Sequence, residues 1–438
     1  MSTKISSTPL FNLKAIVAET GVKPDTLRAW ERRYGLPQPK RTNGRHRLYS
    51  QNDLELIKWL TERQAEGLSI SQAVQLWRKV EEMGQNPLQV YHEEVGREET
   101  AVPHFNGNRI EELRLSWVNA CCHFNEAVAE QILAQAFALY PPETVCLQVL
   151  MRGLALIGSQ WYTGEATIQQ EHFTSALAIR RLHTLLAAAP PPTRSERIIV
   201  ACPPQEDHTF APLLLSLLLR NRGWDVIYLG ADVPRDRFET TLEAVRPHLV
   251  VLTAQQLYTA ASLLEIANFL QEQNIPVAFG GLIFNVLPDL HTRIPGQFLG
   301  NDLENTPNVV EKLLHQKPPA QDAQPVAAAH HTALLHFRQH QSEIEAHMWR
   351  KFKLAPMPYE HFVNANMHMA RNITSALKLG DMNYIGTELA WIRQLLANYQ
   401  WPAGTLQRYL AAYHEATDIY LNSSGQPIVN WLAQIIQS

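Results

Sequence analysis

Cysteine is scarce in this 438-residue chain: Cys121, Cys122, Cys146 and Cys202 supply neither a disulfide ladder nor a zinc-ligand spacing. They read as small buried hydrophobes. Long apolar runs are missing as well. No stretch reaches the roughly 18 to 20 residues that span a bilayer, and Met1 to Pro9 is polar with no signal-like apolar core. No membrane partner is expected, and the expected compartment is the cytoplasm. No heptad run is long enough to specify a coiled coil, and no catalytic domain is recognisable, which argues against an enzyme. What is present is 45% hydrophobic residues, enough to give each of two to four domains a core.

The net charge of −4 hides an uneven distribution. Residues 1–80 hold 14 Lys and Arg against seven Asp and Glu, whereas 81–102 hold six Glu and one Arg. A basic head on an otherwise acidic chain is the footprint of a segment that meets a polyanion. Within it, Leu13 to Glu19 has helical spacing, Gly21 breaks it, and Pro24 opens a second helix with Asp25 in its first turn. Leu27 and Trp30 share one face of that helix, and Arg28 and Arg32 share another. Thr26, Arg28 and Arg32 can therefore reach a DNA groove together. The stretch Arg41 to Tyr49 places an Asn-Gly turn between short cationic arms, a hairpin signal.

The string Leu27-Arg28-Ala29-Trp30-Glu31-Arg32-Arg33-Tyr34-Gly35-Leu36, followed by Arg41-x-x-Gly44-x-x-Arg47-x-Tyr49, resembles the MerR family of winged-helix regulators. The resemblance implies Thr26, Arg28 and Arg32 at the major groove of a double-stranded operator. It also implies that Arg45, His46, Arg47 and Tyr49 contact phosphate and flanking groove. Such phosphate contacts give salt-dependent affinity and carry no sequence information by themselves.

Farther on, the pattern changes twice. From Asn108 to Ala187 apolar residues recur at three and four, with breaks near Tyr140-Pro141-Pro142 and Trp161 to Gly164, which fits a four-helix bundle. Past Pro190-Pro191-Pro192, short β-branched runs alternate with helices. Strands are predicted at 197–202, 224–229, 249–253, 277–279 and 297–299, with helices starting near Ala211, Arg235, Thr259 and Phe284. That alternation predicts a doubly wound, Rossmann-like parallel sheet with ligand loops at the carboxyl ends of its strands. Glu206-Asp207-His208 falls in the first of those loops. A carboxylate bonded to one ring nitrogen of a histidine fixes the tautomer and makes the other a better metal ligand.

Trp161, then nine residues, then Glu171-His172, followed by Glu206-x-His208, Leu252-Thr253-Ala254 and Phe279-Gly280-Gly281, resembles the cobalamin-binding regulators of the CarH/LitR type over roughly residues 10–315. The resemblance implies that His208 is the lower cobalt ligand, with Glu206 behind it, and that Thr253, Gly280 and Gly281 lie beside the nucleotide tail. It also implies that Trp161, Glu171 and His172 stand at the upper face of the corrin, adenosylcobalamin being the form expected. Members usually have Gly before the acidic residue and three after the histidine; this chain has Gln205 and Ala211.

The whole reads as a multidomain α and α/β protein: a winged helix-turn-helix domain (8–80), a linker (81–103), a helical bundle (104–190), a Rossmann-like domain (196–315), a second linker (316–330) and an all-helical domain of unknown role (331–438). Histidines recur in that tail, His361, His368 and His414 among them, without metal-ligand spacing, and none is a site residue. The expected function is a cobalamin-dependent, light-responsive repressor, a homo-oligomer (dimer or tetramer), with no catalytic residue. Two other classes stay open: a corrinoid methyl carrier or enzyme module, and a cofactor-independent regulator acting through protein partners.

Overall fold

The computed structural model describes residues 9–41, 47–65, 70–82, 109–316, 321–352, 359–386, 389, 392–394, 396, 402 and 404–437, in two compact units divided at His104 and Phe105. No helix among them is long and apolar enough to cross a membrane.

The first unit opens with β1 (Pro9–Asn12), which runs antiparallel to β3 (Arg47–Ser50); β3 in turn pairs with β2 (Lys40–Arg41). Two helices precede the hairpin. In α1 (Leu13–Thr20) the Asn12 side chain caps the start by accepting from the Ala15 N–H at 2.9 Å, and Gly21 at φ 66° ends it. Pro24 occupies the first turn of α2 (Pro24–Tyr34), where its missing N–H costs nothing. Leu27 and Trp30 turn inward onto Ile16, Tyr49, Ile57 and Leu60, joined by α3 (Gln51–Ala65) and α4 (Ile70–Glu82). The tip of the expected wing, residues 42–46, lies outside the described residues.

The second unit begins with four antiparallel-style helical stretches: α5 (Arg109–Cys122), α6 (Glu126–Leu139), then α7 (Pro142–Val145) running through a π-helical segment (Cys146–Met151) into α8 (Arg152–Thr163), and α9 (Ile168–Ala187). Their shared core is built on Trp117, Leu133, Val149, Ile157 and Leu182. Gly153 is forced by that packing, since a Cβ there would meet the Trp117 ring at 2.7 Å.

A five-stranded parallel sheet follows, in the order β5-β4-β6-β7-β8: β4 (Arg197–Ala201), β5 (Asp225–Gly230), β6 (Leu249–Thr253), β7 (Val277–Gly280) and β8 (Gln297–Phe298). The two-residue period of a strand sorts β4 cleanly. Ile198 and Val200 face Leu215 and Leu219 of α10 (Phe210–Asn221) and Val310 of α14 (Thr306–Gln316). Ile199 and Ala201 face the opposite core, with α11 (Phe238–Val245), α12 (Leu257–Glu272) and α13 (Leu282–Val286). Burial on both faces explains why these strands read as continuous apolar runs.

The tail is helical, as expected: α15 (Ala328–Phe352), α16 (Tyr359–Leu379), α17 (Thr405–Leu421) and α18 (Gln426–Gln437). Its attachment differs from the expectation of a tethered domain. α16 packs along α12, and Phe337, Ile373, Leu377 and Tyr413 join the same core as Val250 and Phe279. Residues read from composition as linker are pinned to the sheet: the Gly296 N–H donates to the Gln321 carbonyl (2.9 Å), the Gln324 N–H to Thr292 (2.9 Å), and Gln271 to the Asp322 carboxylate (2.7 Å).

Candidate functional site

β4 sits between β5 and β6, so the chain winds to opposite sides from here and the loops after β4 and β6 diverge around a crevice. Glu206 and His208 come from the first loop and Thr253 from the end of β6. Glu206 is fully buried and accepts four hydrogen bonds. Its Oε1 takes the His208 backbone N–H at 2.9 Å and the His208 ring Nδ1 at 2.7 Å; its Oε2 takes the Gln255 N–H at 2.7 Å and the Thr259 hydroxyl at 2.6 Å.

Burial pushes the Glu206 carboxyl up, but the donors from His208, Thr259 and Gln255 outweigh it and hold the group below the ordinary carboxylate range. The bond to Glu206 raises His208 against the opposing effect of desolvation, with the charges of Glu206 and Glu171 adding to it. An ionised carboxylate can only accept, so Nδ1 carries a proton and the neutral ring keeps its lone pair on Nε2. The His208 side chain is 57% exposed, so that nitrogen is available to a ligand.

Along the same edge, Thr253 and Gly280 are partners across β6 and β7. Thr253 is buried with its hydroxyl 3.8 Å from Cys202 Sγ, and burial pushes that thiol up to about 12, leaving it unreactive at neutral pH. The two glycines differ. Gly281, at φ 129°, is required by the protein itself, because a Cβ would lie 1.9 Å from the Ala254 carbonyl oxygen. Gly280 is buried, yet a Cβ on it would meet nothing nearer than Leu299 Cβ at 4.0 Å. The sequence reading assigned both to the nucleotide tail; for Gly281 the backbone of Ala254 is the sufficient cause. The space in front of Gly280 suits a group not supplied by the chain.

From the bundle, Trp161 at the end of α8 is half-buried against the helical core, and Glu171 lies in the first turn of α9 with His172 next to it. Gly164 at φ 83° reverses the chain, so these three residues come from adjoining helix ends. The Glu171 carboxylate accepts from Ser175 Oγ at 2.7 Å and stands 2.7 Å from His172 Nδ1. The negative charge of Glu171 also adds to the raising of His208.

In the other unit, Arg28 and Arg32 are exposed on one side of α2 and Thr26 is half-buried; Arg28 pairs with Asp25 at 2.9 Å. Arg47 pairs with Glu31 at 2.7 Å, tying the hairpin to α2. Tyr49 corrects the sequence reading: it is 1% exposed, and its ring belongs to the core with Ile57 and Leu60 rather than to a DNA-facing surface. Arg45 and His46 lie outside the described residues.

Comparison with known proteins now bears on both units. The MerR HTH family regulatory protein model matches residues 11–79, and two B12 binding domain models match 115–186 and 196–300. The HTH-type transcriptional repressor CarH of Myxococcus xanthus is 32% identical over 270 residues, covering 61% of this chain and 87% of that protein. The chain belongs to this family. CarA of the same organism, also an HTH-type transcriptional repressor, is 30% identical over 62% of this chain and 86% of its own length. Among solved structures, the monomethylamine corrinoid protein of Methanosarcina barkeri aligns with a TM-score of 0.40 at 16% identity, over 46% of this chain and 99% of that one.

As a CarH/CarA family member the protein is a cobalamin-binding transcriptional regulator with a MerR-type DNA-binding domain. Sequence reasoning passed over two members of its loop network, Gln255 and Thr259. Gln256 and Thr259 form a reciprocal capping box at the start of α12, which seats the buried Thr259 beside Glu206; its Gln-x-x-Thr order reverses the usual signature, so the sequence carried no signal for it. The α15–α18 tail lies beyond all three family models.

Proposed function

We propose that the chain represses transcription from a double-stranded operator when it holds adenosylcobalamin, and that light relieves the repression. His208 would ligate cobalt from below through Nε2, with Glu206 fixing the ring; Thr253 and Gly280 would border the nucleotide tail. Trp161, Glu171 and His172 would meet the upper side. Thr26, Arg28, Arg32, Arg45, His46 and Arg47 would hold the DNA, in a dimer or tetramer suited to a two-fold operator. Bound adenosylcobalamin supplies a cobalt–carbon bond that light can cleave. The division of labour follows the reading of 8–80 as reader, 104–190 as cap, 196–315 as cofactor domain and 331–438 as an appended helical domain. No catalytic residue is assigned.

One observation carries this reading: a fully buried carboxylate accepts four hydrogen bonds and leaves a single imidazole nitrogen free above the crevice. A single protein donor suits a corrin, which brings its equatorial ligands with it. The space before Gly280 suits it too. The test is the absorption spectrum and operator affinity of the protein with adenosylcobalamin, before and after green illumination. Retained colour, an illumination-dependent spectral change and weakened operator binding are expected, with His208→Ala losing at least tenfold in cobalamin affinity. A spectrum unmoved by light, with regulation intact, would leave a chemical sensor of cobalamin; an unchanged His208→Ala variant removes the assigned ligand.

A further inference from the structure

The helices α12, α15 and α16 enclose an open groove of about 830 Å³ that the cofactor reading leaves unused. Its two ends differ. Near the end of α15 and the start of α16, Trp349 meets Tyr359 at 4.8 Å and Phe362 at 5.4 Å between ring centroids, which helps to hold the two helices side by side. Around it Tyr359, Val363 and Met367 stay 61, 41 and 51% exposed. About 16 Å along α15 from Trp349, by the helical rise, stands Arg338, and across from it on α16 stands Arg371.

Arg371 is only partly satisfied. Its guanidinium lies 3.5 Å from the centre of the Tyr258 ring and Nη2 is 2.9 Å from His368 Nδ1, but Nε is buried with no hydrogen-bond partner. Among the described residues neither Arg338 nor Arg371 forms an ion pair. Of the other charges of the groove, Lys378 pairs with Glu265, while Glu345 keeps its negative charge, accepting among the described residues only from the Gln341 amide at 2.8 Å, one helical turn from Trp349 and about 10 Å along α15 from Arg338. That Nε is sealed from the groove, so it is the outer guanidinium nitrogens of Arg371 and the exposed fork of Arg338 that would meet a carboxylate.

We propose that this groove binds an amphipathic monocarboxylate, its head on Arg371 and Arg338 and its tail along Met367 and Val363 toward Trp349. Two unpaired cations at one end select the charge, and exposed apolar side chains at the other select an extended tail. Gln205, from the loop that carries His208, lines the same groove.

The test is calorimetric titration of decanoate into the full chain without cobalamin, with decyltrimethylammonium as the charge control. One saturable site for decanoate is expected, weakened at least tenfold in Arg371→Gln, in Arg338→Glu and in Met367→Glu, and no comparable binding of the cation. Arg338 and Met367 are exposed, so those two variants decide the matter even if Arg371→Gln loses its fold. No saturable site in the parent chain overturns the proposal. So does decanoate affinity unchanged in folded Arg338→Glu and Met367→Glu, or equal affinity for the cation.

Discussion

Glu206–His208 and Glu171–His172 are two carboxylate–imidazole pairs with the same 2.7 Å separation, one in the sheet loop and one at the head of the bundle. Their surroundings set them apart. Glu206 is sealed from water and tied to two elements, through His208 on one side and through Gln255 and Thr259 on the other. Glu171 has one further donor, Ser175, from its own helix, and His172 is 73% exposed. Equal distances thus give unequal constraint: the first pair fixes where a ring points, and the second can reorient at little cost. That difference is what the proposed roles would need, since a lower ligand would have to be held in place beforehand and residues beside an exchangeable group would have to accommodate its loss.

Removing the two carboxylates in turn should break this symmetry most sharply. Glu206→Ala strands the Thr259 hydroxyl and the Gln255 N–H and releases His208, so a loss of about 4 kcal/mol in denaturant unfolding is expected. Glu171→Ala should stay within about 0.5 kcal/mol. The pH dependence sharpens the contrast. Because the folded pKa of Glu206 is depressed, its contribution is complete above the unfolded carboxylate value and disappears as pH falls through the folded one. Glu206→Gln should therefore flatten the acid limb of the stability curve. Equal losses from the two alanine variants would mean that burial does not separate the pairs.

The glycines at the end of β7 give the next contrast. Gly281→Ala forces a Cβ into the Ala254 carbonyl at a positive φ and should cost about 3 kcal/mol in the apo protein. Gly280→Ala has room, so apo stability should change by less than about 1 kcal/mol. Cobalamin affinity, measured by spectral titration, should nevertheless fall roughly tenfold if that room belongs to the ligand. Unchanged affinity in Gly280→Ala would detach this position from the site.

Much of this was readable in the chain because its signals are local. The β-branched runs marked five strands, Gly21 and Pro24 marked the boundary between the reader helices, and Glu206-x-His208 is a contact between near neighbours in sequence. What escaped depends on distant partners. Tyr49 sits in a string of cations, but strand pairing with β1 and β2 turns its ring into the core beside Ile57. Residues 321–326 are polar and proline-bearing, as a tether would be, yet they find partners at Thr292 and Gly296. The cause of Gly281 lies in Ala254, on the neighbouring strand's loop, where no motif points.

The smallest effect concerns the departure at Gln205. This residue adopts φ 68°, a left-handed conformation, and its N–H donates to Asp232 Oδ1 at 2.7 Å. Glycine, the usual residue there in the family, takes this conformation without a Cβ penalty, which is about 1 kcal/mol for other residues. Glycine also frees the unfolded chain, which offsets part of the gain. Gln205→Gly should therefore raise stability by no more than about 1 kcal/mol, measured by thermal melting, and leave cobalamin affinity unchanged, because Glu206 and not its neighbour holds His208. A drop in affinity would instead make the Gln205 side chain part of what shapes the loop. The unequal roles of the two carboxylates would then depend on a third residue that touches neither imidazole.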